Sequence, residues 1–237
     1  MLINQYYGNR GICLIKLGNL ELAIDDYNEA IRLDPRYEKA VTQRENLLSI
    51  WQPGTECSET DECNDTGLEY HNSGEYSKAL LYYTDAIRLD INYEMAYYNR
   101  GLIYSKLSEY EKALEDYDIA ILLDPSYTAA YTSRGLVYKN LGEYERSLED
   151  YNLAILFDPD YHTAYSHRGM SYYYLAEYEK ALQDYNTAIS LDPSSAFKHN
   201  GRGVVYKNLG EYEKALRDYD EAIRLDASFD APIKNRE

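Results

Sequence analysis

Few residues in this sequence could do chemistry. They are four histidines (His71, His162, His167, His199), three cysteines (Cys13, Cys57, Cys63) and a large set of carboxylates. Nucleophilic or acid–base catalysis needs such groups within hydrogen-bond reach of one another. The histidines fall in separate segments, with no nucleophile or carboxylate at a recognisable spacing. There is no glycine-rich phosphate loop and no His-Glu-x-x-His element. Cys57, Cys63 and His71 are spaced C-x5-C-x7-H, which is not a zinc-site spacing. The sequence therefore predicts no catalytic residues, no metal and no cofactor. Three cysteines also make no disulfide framework, and the expectation is a reducing compartment, the cytoplasm. Asn64-Asp65-Thr66 matches a glycosylation sequon, but it falls inside a predicted helix and reads as chance.

One charged arrangement does recur. Arg10, Arg100, Arg134, Arg168 and Arg202 share one phase, and Asp26, Asp116, Asp150, Asp184 and Asp218 share another. Where the arginine gives way to Thr66, the aspartate gives way to Tyr82. Joint presence and joint absence point to a structural Arg–Asp pair in preference to a row of ligand-binding arginines.

The elements that hold these residues follow from the period. Gly67, Gly101, Gly135, Gly169 and Gly203 recur every 34 residues, as do Tyr70, Tyr104, Tyr138, Tyr172 and Tyr206. Pro125, Pro159 and Pro193 keep the same spacing. Each unit reads as two helices, A and B. In A, Tyr97, Gly101 and Tyr104 lie on one helical face. A short turn at Ser108, Gly142 or Gly210 leads to B, where Tyr110, Ala113, Leu114, Tyr117, Ala120 and Ile121 form an amphipathic stripe. Leu-Asp-Pro closes the unit, since proline ends one helix and can open the next. A glycine inside a helix costs about 1 kcal/mol relative to alanine. Its repetition implies a neighbouring helix too close for a side chain, with the small B-helix residues (Ala79, Ala113, Ser147, Ala181, Ala215) as the matching surface. Most of the 29 tyrosines fall at recurring phases. They are read as core and inter-repeat packing, with hydroxyls reaching solvent or a neighbour.

These marks resemble the tetratricopeptide repeat family. The resemblance implies an all-α, right-handed α-solenoid (a superhelix) of 34-residue helix-turn-helix hairpins. The units run 4–37, 60–93, 94–127, 128–161, 162–195 and 196–229. Between the first two, 38–59 reads as a lone capping-type helix and linker, ended by Trp51-Gln52-Pro53-Gly54. Glu45 stands where every unit has glycine, so no second helix can approach there. Residues 230–237 repeat the same text (Ala231 to Glu237 against Lys39 to Glu45) and read as the start of another capping helix. One hairpin plus a cap is too small to fold alone. Hence 1–50 either packs on the main stack or lacks upstream repeats, and the chain reads as a fragment of a longer protein.

Charge narrows the partner. A formal net charge of -17 argues against nucleic acid and anionic membranes. No apolar run reaches membrane-spanning length, so no membrane insertion is expected. The resemblance places ligands along helix A, opposite its Gly/Tyr face. Here that line reads Met95, Tyr98, Leu102, Lys106; Thr132, Leu136, Lys139, Asn140; Met170, Tyr173, Tyr174; Phe197, Val204, Lys207, Asn208. Met, aromatic and aliphatic residues on an open face suit an adaptable protein-binding groove. The competing reading is that part of the ladder packs between adjacent A helices. Glu111, Lys112 and Glu115 on helix B read as a solvated outer face. The expectation is a scaffold or adaptor that binds an extended or helical peptide segment of a partner protein. One alternative is the carboxylate clamp of chaperone-docking tetratricopeptide domains. Asn99 and Arg134 match that clamp, but Asn64, Leu68 and Ala130 do not. Another is a regulatory or recruiting module of a larger enzyme.

Overall fold

The computed structural model of the chain describes residues 2–16, 20–50 and 57–228. The segment 51–54 and the terminal stretch 230–237, both read above as parts of capping elements, lie outside the described residues. Thirteen helices and no strands make up the described residues. Two compact units divide the chain, Met1–Leu107 and Ser108–Glu237.

The first unit holds α1 (Leu2–Lys16), α2 (Leu20–Leu33), α3 (Glu38–Ile50), α4 (Thr60–Asn72), α5 (Tyr76–Leu89) and α6 (Glu94–Lys106). The second holds α7 (Tyr110–Leu123), α8 (Thr128–Asn140), α9 (Tyr144–Phe157), α10 (His162–Tyr174), α11 (Tyr178–Leu191), α12 (Ala196–Asn208) and α13 (Tyr212–Leu225). Helices pair as hairpins α1/α2, α4/α5, α8/α9, α10/α11 and α12/α13. The B helices α2, α5, α7, α9 and α11 also pack on the A-position helix that follows, as α9 does on α10 and α11 on α12. Among the A helices, α8, α10 and α12 lie side by side, as do α4 and α6 in the first unit. The turns inside the hairpins need one left-handed residue. Glycine supplies it at Gly74, Gly142 and Gly210, while Ser108 and Ala176 adopt φ of 61° and 58° despite their side chains.

The close approach of A to B is made by a tyrosine ring. A Cβ placed on Gly67, Gly135 or Gly203 would stand 2.7, 2.8 or 2.6 Å from a ring carbon of Tyr83, Tyr151 or Tyr219. At Gly169 the nearest atoms are 3.3 Å away. The alanines of helix B contribute through their backbone, with the Ala23, Ala181 and Ala215 carbonyls 3.3 Å from the corresponding glycine positions. This refines the sequence reading, in which small side chains alone met the glycine. The tyrosine hydroxyls also differ from expectation. Those of Tyr27, Tyr83, Tyr151 and Tyr219 are buried and make no hydrogen bond among the described residues. The ring is what these positions use.

Four of the expected Arg–Asp pairs are seen, and three of the arginines do more than the period implied. Arg134 donates Nε and Nη2 to Asp150 (2.9 and 2.6 Å) and Nη1 to Asp118 of the preceding B helix (2.6 Å). Arg168 holds Asp184 and reaches back to Asn152 (2.7 Å). Arg202 holds Asp218 and reaches back to Asn186 (2.7 Å). Arg10 makes the same two-pronged pair with Asp26. One guanidinium therefore ties its own hairpin together and fastens it to the hairpin before. Burial pushes the Asp150 and Asp184 carboxyls above the usual range, and the paired arginine opposes that rise.

The lone helix α3 occupies a helix A position. Its Arg44 keeps the arginine phase, donating Nε to Asn28 of α2 at 2.6 Å. Its other arm donates to the Arg88 carbonyl at the end of α5. Glu45, at the glycine phase, is exposed. Arg88 is only 1% exposed, beside Asp85 (3.2 Å) and Asp25 of α2 (3.8 Å). The same phase is 60% exposed at Leu122 and 70% at Leu156. Helices α2 and α3 thus pack on the following hairpin through α5.

Cys57 and Cys63 are joined by a disulfide across the start of α4. A single bridge is no disulfide framework, but it bears on the reducing compartment inferred from the cysteine count. Disulfides persist in oxidising compartments and are rare in reducing ones, so the inference from cysteine count to the cytoplasm lapses.

Three outcomes follow from this packing. Gly135→Ala gains helix propensity of about 1 kcal/mol, yet it should lose roughly 1–3 kcal/mol overall in urea unfolding as the Tyr151 ring is displaced. Gly169→Ala, with more room, should be close to neutral, and equal costs at the two sites would refute the ring contact as the cause. Arg168→Met leaves the Asp184 carboxylate buried without a counterion and should cost about 3–5 kcal/mol. The double variant Arg168→Met/Asp184→Leu should recover most of that loss in the same assay. Burial also pushes the Tyr83 and Tyr219 phenols up to about 12. Unfolded tyrosines ionise near pH 10, so stability present below that pH should be lost as pH rises from 10 to 12. A flat melting temperature across that window would contradict the buried rings.

Candidate functional site

The face predicted to meet a partner is the side of the A helices turned away from the glycine–tyrosine contact. In the first unit it is carried by α6. Met95 is 40% exposed, Tyr98 and Leu102 are half-buried, and Lys106 has its ammonium 5.7 Å from the Tyr76 ring centroid. Beside them Asn99 donates to Asn64 Oδ1 of α4 at 2.9 Å.

In the second unit the face is laid out on three adjacent helices, and several predicted residues come together. Lys139 of α8 reaches Met170 of α10, Nζ to Sδ 3.6 Å. Asn208 of α12 donates to the Tyr173 hydroxyl at 3.2 Å and to its own Val204 carbonyl at 2.9 Å. Tyr173 and Tyr174 meet edge to face, with centroids 5.4 Å apart. Tyr174 is 53% exposed, while Leu136, Met170, Tyr173, Phe197 and Val204 are half-buried. Asn140, Lys207 and Asn208 are exposed. Thr132 departs from this placement. It is buried, and its hydroxyl donates to the Thr128 carbonyl of its own helix, so it presents nothing to a ligand. Tyr173 is shared with the interior, since it packs on the cluster of Ala181, Tyr185 and Val205.

Two residues belong to this face that sequence reasoning missed. His167 lies between the Tyr151 ring (centroids 6.0 Å) and the Phe197 ring (5.8 Å). Burial, helped by the nearby Lys139 charge, lowers its pKa to about 4, so it is neutral at physiological pH. Its place three residues before Met170 was the available signal. Tyr144 of α9 stacks on Tyr174 at 5.1 Å with planes 10° apart, holding that exposed ring in place. Tyr144 sits at a framework phase, and periodicity alone cannot assign it a second role.

The remaining histidines and cysteines do not assemble into a reactive centre. His199 is buried, with Nδ1 3.6 Å from Asp218 and Nε2 3.3 Å from the Pro193 carbonyl. Among the described residues no cluster of three His, Cys, Asp or Glu side chains could hold a metal ion. No helix is long and apolar enough to cross a membrane among those residues. The outer face of helix B carries local ion pairs such as Lys112–Glu109 (2.6 Å) and Arg146–Glu143 (2.6 Å). Such exposed pairs contribute little to stability.

Comparison with known proteins agrees with this architecture. The tetratricopeptide repeat profile matches residues 5–37, 95–127, 128–161 and 196–229, and a second TPR repeat profile matches 169–210. None of the curated proteins compared with the chain matches it. Among solved structures it is similar to TTC0263, a thermophilic TPR protein of Thermus thermophilus. The TM-score is 0.64 at 21% identity, covering 74% of this chain and 96% of that one. It is also similar to YrrB, a TPR protein with an unusual peptide-binding site (TM-score 0.56, 22% identity, 73% and 89% covered). MamA from Desulfovibrio magneticus RS-1 gives a TM-score of 0.62 at 20% identity, with 74% and 99% covered. At these identities the structures speak for the fold alone. The matched segments make up more than half of the sequence, and the chain belongs to the tetratricopeptide repeat family.

Proposed function

We propose that this chain is a protein-interaction scaffold, and that a segment of its partner lies across α8, α10 and α12. The observation that carries the reading is an aromatic and thioether ladder in which half-buried Tyr173, Met170 and Phe197 flank the exposed Tyr174. Tyr174 is held flat against Tyr144 while remaining 53% exposed. The stack contributes only modestly to stability while half the ring still faces water, whereas a binding surface gains from having it preorganised. The peptide-binding site in the description of YrrB, a relative in fold, is in keeping with this reading. Binding, not catalysis, is the role that this face supports.

The chaperone-tail clamp is less well supported. It needs a free arginine, and all three nitrogens of Arg134 are committed to Asp150 and Asp118. Asn99, the clamp's other match, is already bonded to Asn64.

The test is affinity capture from native lysate with the full chain, comparing wild type with Leu136→Glu/Tyr173→Glu and with Tyr174→Ala. Tyr174→Ala guards against misfolding, because that ring is largely exposed. Tyr174→Ala should keep wild-type circular dichroism, and both variants should lose the captured partner, with affinity of Tyr174→Ala for the purified partner at least about tenfold weaker. Equal recovery by all three proteins would move the site to another face.

A further inference from the structure

The acidity of this chain is not spread evenly. Helices α8, α10 and α12 contain no Asp or Glu, although the sequence has 41 acidic residues against 24 Lys and Arg. Most cations on these helices are already matched. Arg134, Arg168 and Arg202 hold the buried aspartates, and Lys198 holds Asp192 at 2.6 Å. On helix B each turn glutamate takes a basic residue three positions on, as in Lys78–Glu75. Lys139 of α8 is a half-buried exception. Its hydrogen-bond partner is the Met170 thioether, and no carboxylate pairs with it among the described residues. Thioether sulfur is a weak acceptor. Burial lowers the Lys139 pKa, with no acid opposing the shift. His167 beside it is neutral at physiological pH and brings no charge of its own. A partly desolvated ammonium with so poor a partner is costly in the free protein, and a bound carboxylate would remove that cost.

Resting on the reading of this face as a partner site, we infer that Lys139 is its anion anchor: the ammonium pairs with one Asp or Glu side chain of the bound segment, while a neighbouring apolar residue of that segment packs on Met170 and Phe197. A carboxylate fits better than a phosphate. The site offers a single point charge, and the arginine forks that would bind a dianion are committed elsewhere. The net charge of -17 adds a second restriction, because a uniformly acidic segment is repelled by the rest of the chain. The preferred ligand carries an isolated acidic residue among aromatic or aliphatic ones. The competing reading is that the Lys139 stem merely covers apolar surface, and it predicts no preference for acid in the ligand.

Selection from a random library of displayed peptides separates these readings. The full chain serves as bait, in parallel with Lys139→Gln, Lys139→Arg and the groove variant Leu136→Glu/Tyr173→Glu. Peptides kept by wild type and lost by the groove variant should share one Asp or Glu beside an apolar residue. Replacing that acid by its amide should weaken binding to wild type about tenfold and leave binding to Lys139→Gln unchanged. Lys139→Arg should keep most of the affinity. Groove-dependent peptides with no acidic preference, or bound equally by wild type and Lys139→Gln, would overturn the anchor and leave the groove standing. If no selected peptide depends on the groove, the anchor and the groove reading fall together.

Discussion

The structure depends on one steric constraint: a helix A residue without a Cβ lies against the ring of a helix B tyrosine sixteen positions later. At Gly67, Gly135 and Gly203 the space that a methyl group would need is already filled by that ring. Glycine in a helix is a local cost, and burying an aromatic side chain outweighs it. The contact fixes how near A and B come, and that distance makes the bidentate Arg–Asp pair possible across the same interface. The buried hydroxyls of Tyr27, Tyr83, Tyr151 and Tyr219 fit this ordering of needs. Shape decides the position, and the polar atom is carried along at some expense.

The arginine is the second organising element, and it works in two directions. Nε and Nη2 close the hairpin, while Nη1 reaches the preceding B helix at Asp118, Asn152 or Asn186. The backward acceptor varies in charge while its position is fixed, so geometry matters more here than ion pairing. Arg44 shows the rule at a defect. With no B helix of its own, it keeps the backward bond to Asn28 and gives its free arm to the carbonyl of Arg88. That substitution couples α2 and α3 to α5, where Arg88 is buried at a phase that is exposed at Leu122 and Leu156.

Much of this was legible in the sequence because repetition amplifies weak local signals. A single helical glycine says little, whereas the same glycine every 34 residues demands a shared cause. The all-α repeat architecture, the hairpin turns and the Arg–Asp pairs all come from that amplification. What was not legible is what occurs once. The Cys57–Cys63 disulfide, the burial of Arg88 and the stack of Tyr144 on Tyr174 each depend on neighbours brought together by the fold. The backward arginine partner was missed for another reason. Thr84, Asp118, Asn152 and Asn186 share a phase but not a residue type, so a period of residue identities does not mark them. Thr132 illustrates the limit of helical-wheel arguments, since its wheel position gives no sign of its burial.

The candidate face follows from how the cations are used. Arginines of the A helices point into the hairpin interfaces, and glutamates of the B helices pair along their own helices. The A surface of α8, α10 and α12 is left without acids and with little committed polarity. The packing contacts and the candidate face thereby lie on different sides of one helix: Tyr174 and Asn140 stand apart from the glycine–tyrosine contact and the arginine clasp. Tyr173 is where the separation breaks down, because its ring packs on the Ala181–Tyr185–Val205 cluster while its hydroxyl meets Asn208 on the open side. A residue anchored in the core and offered to solvent is positioned at low entropic cost. The same core that closes the hairpin therefore also preorganises the face.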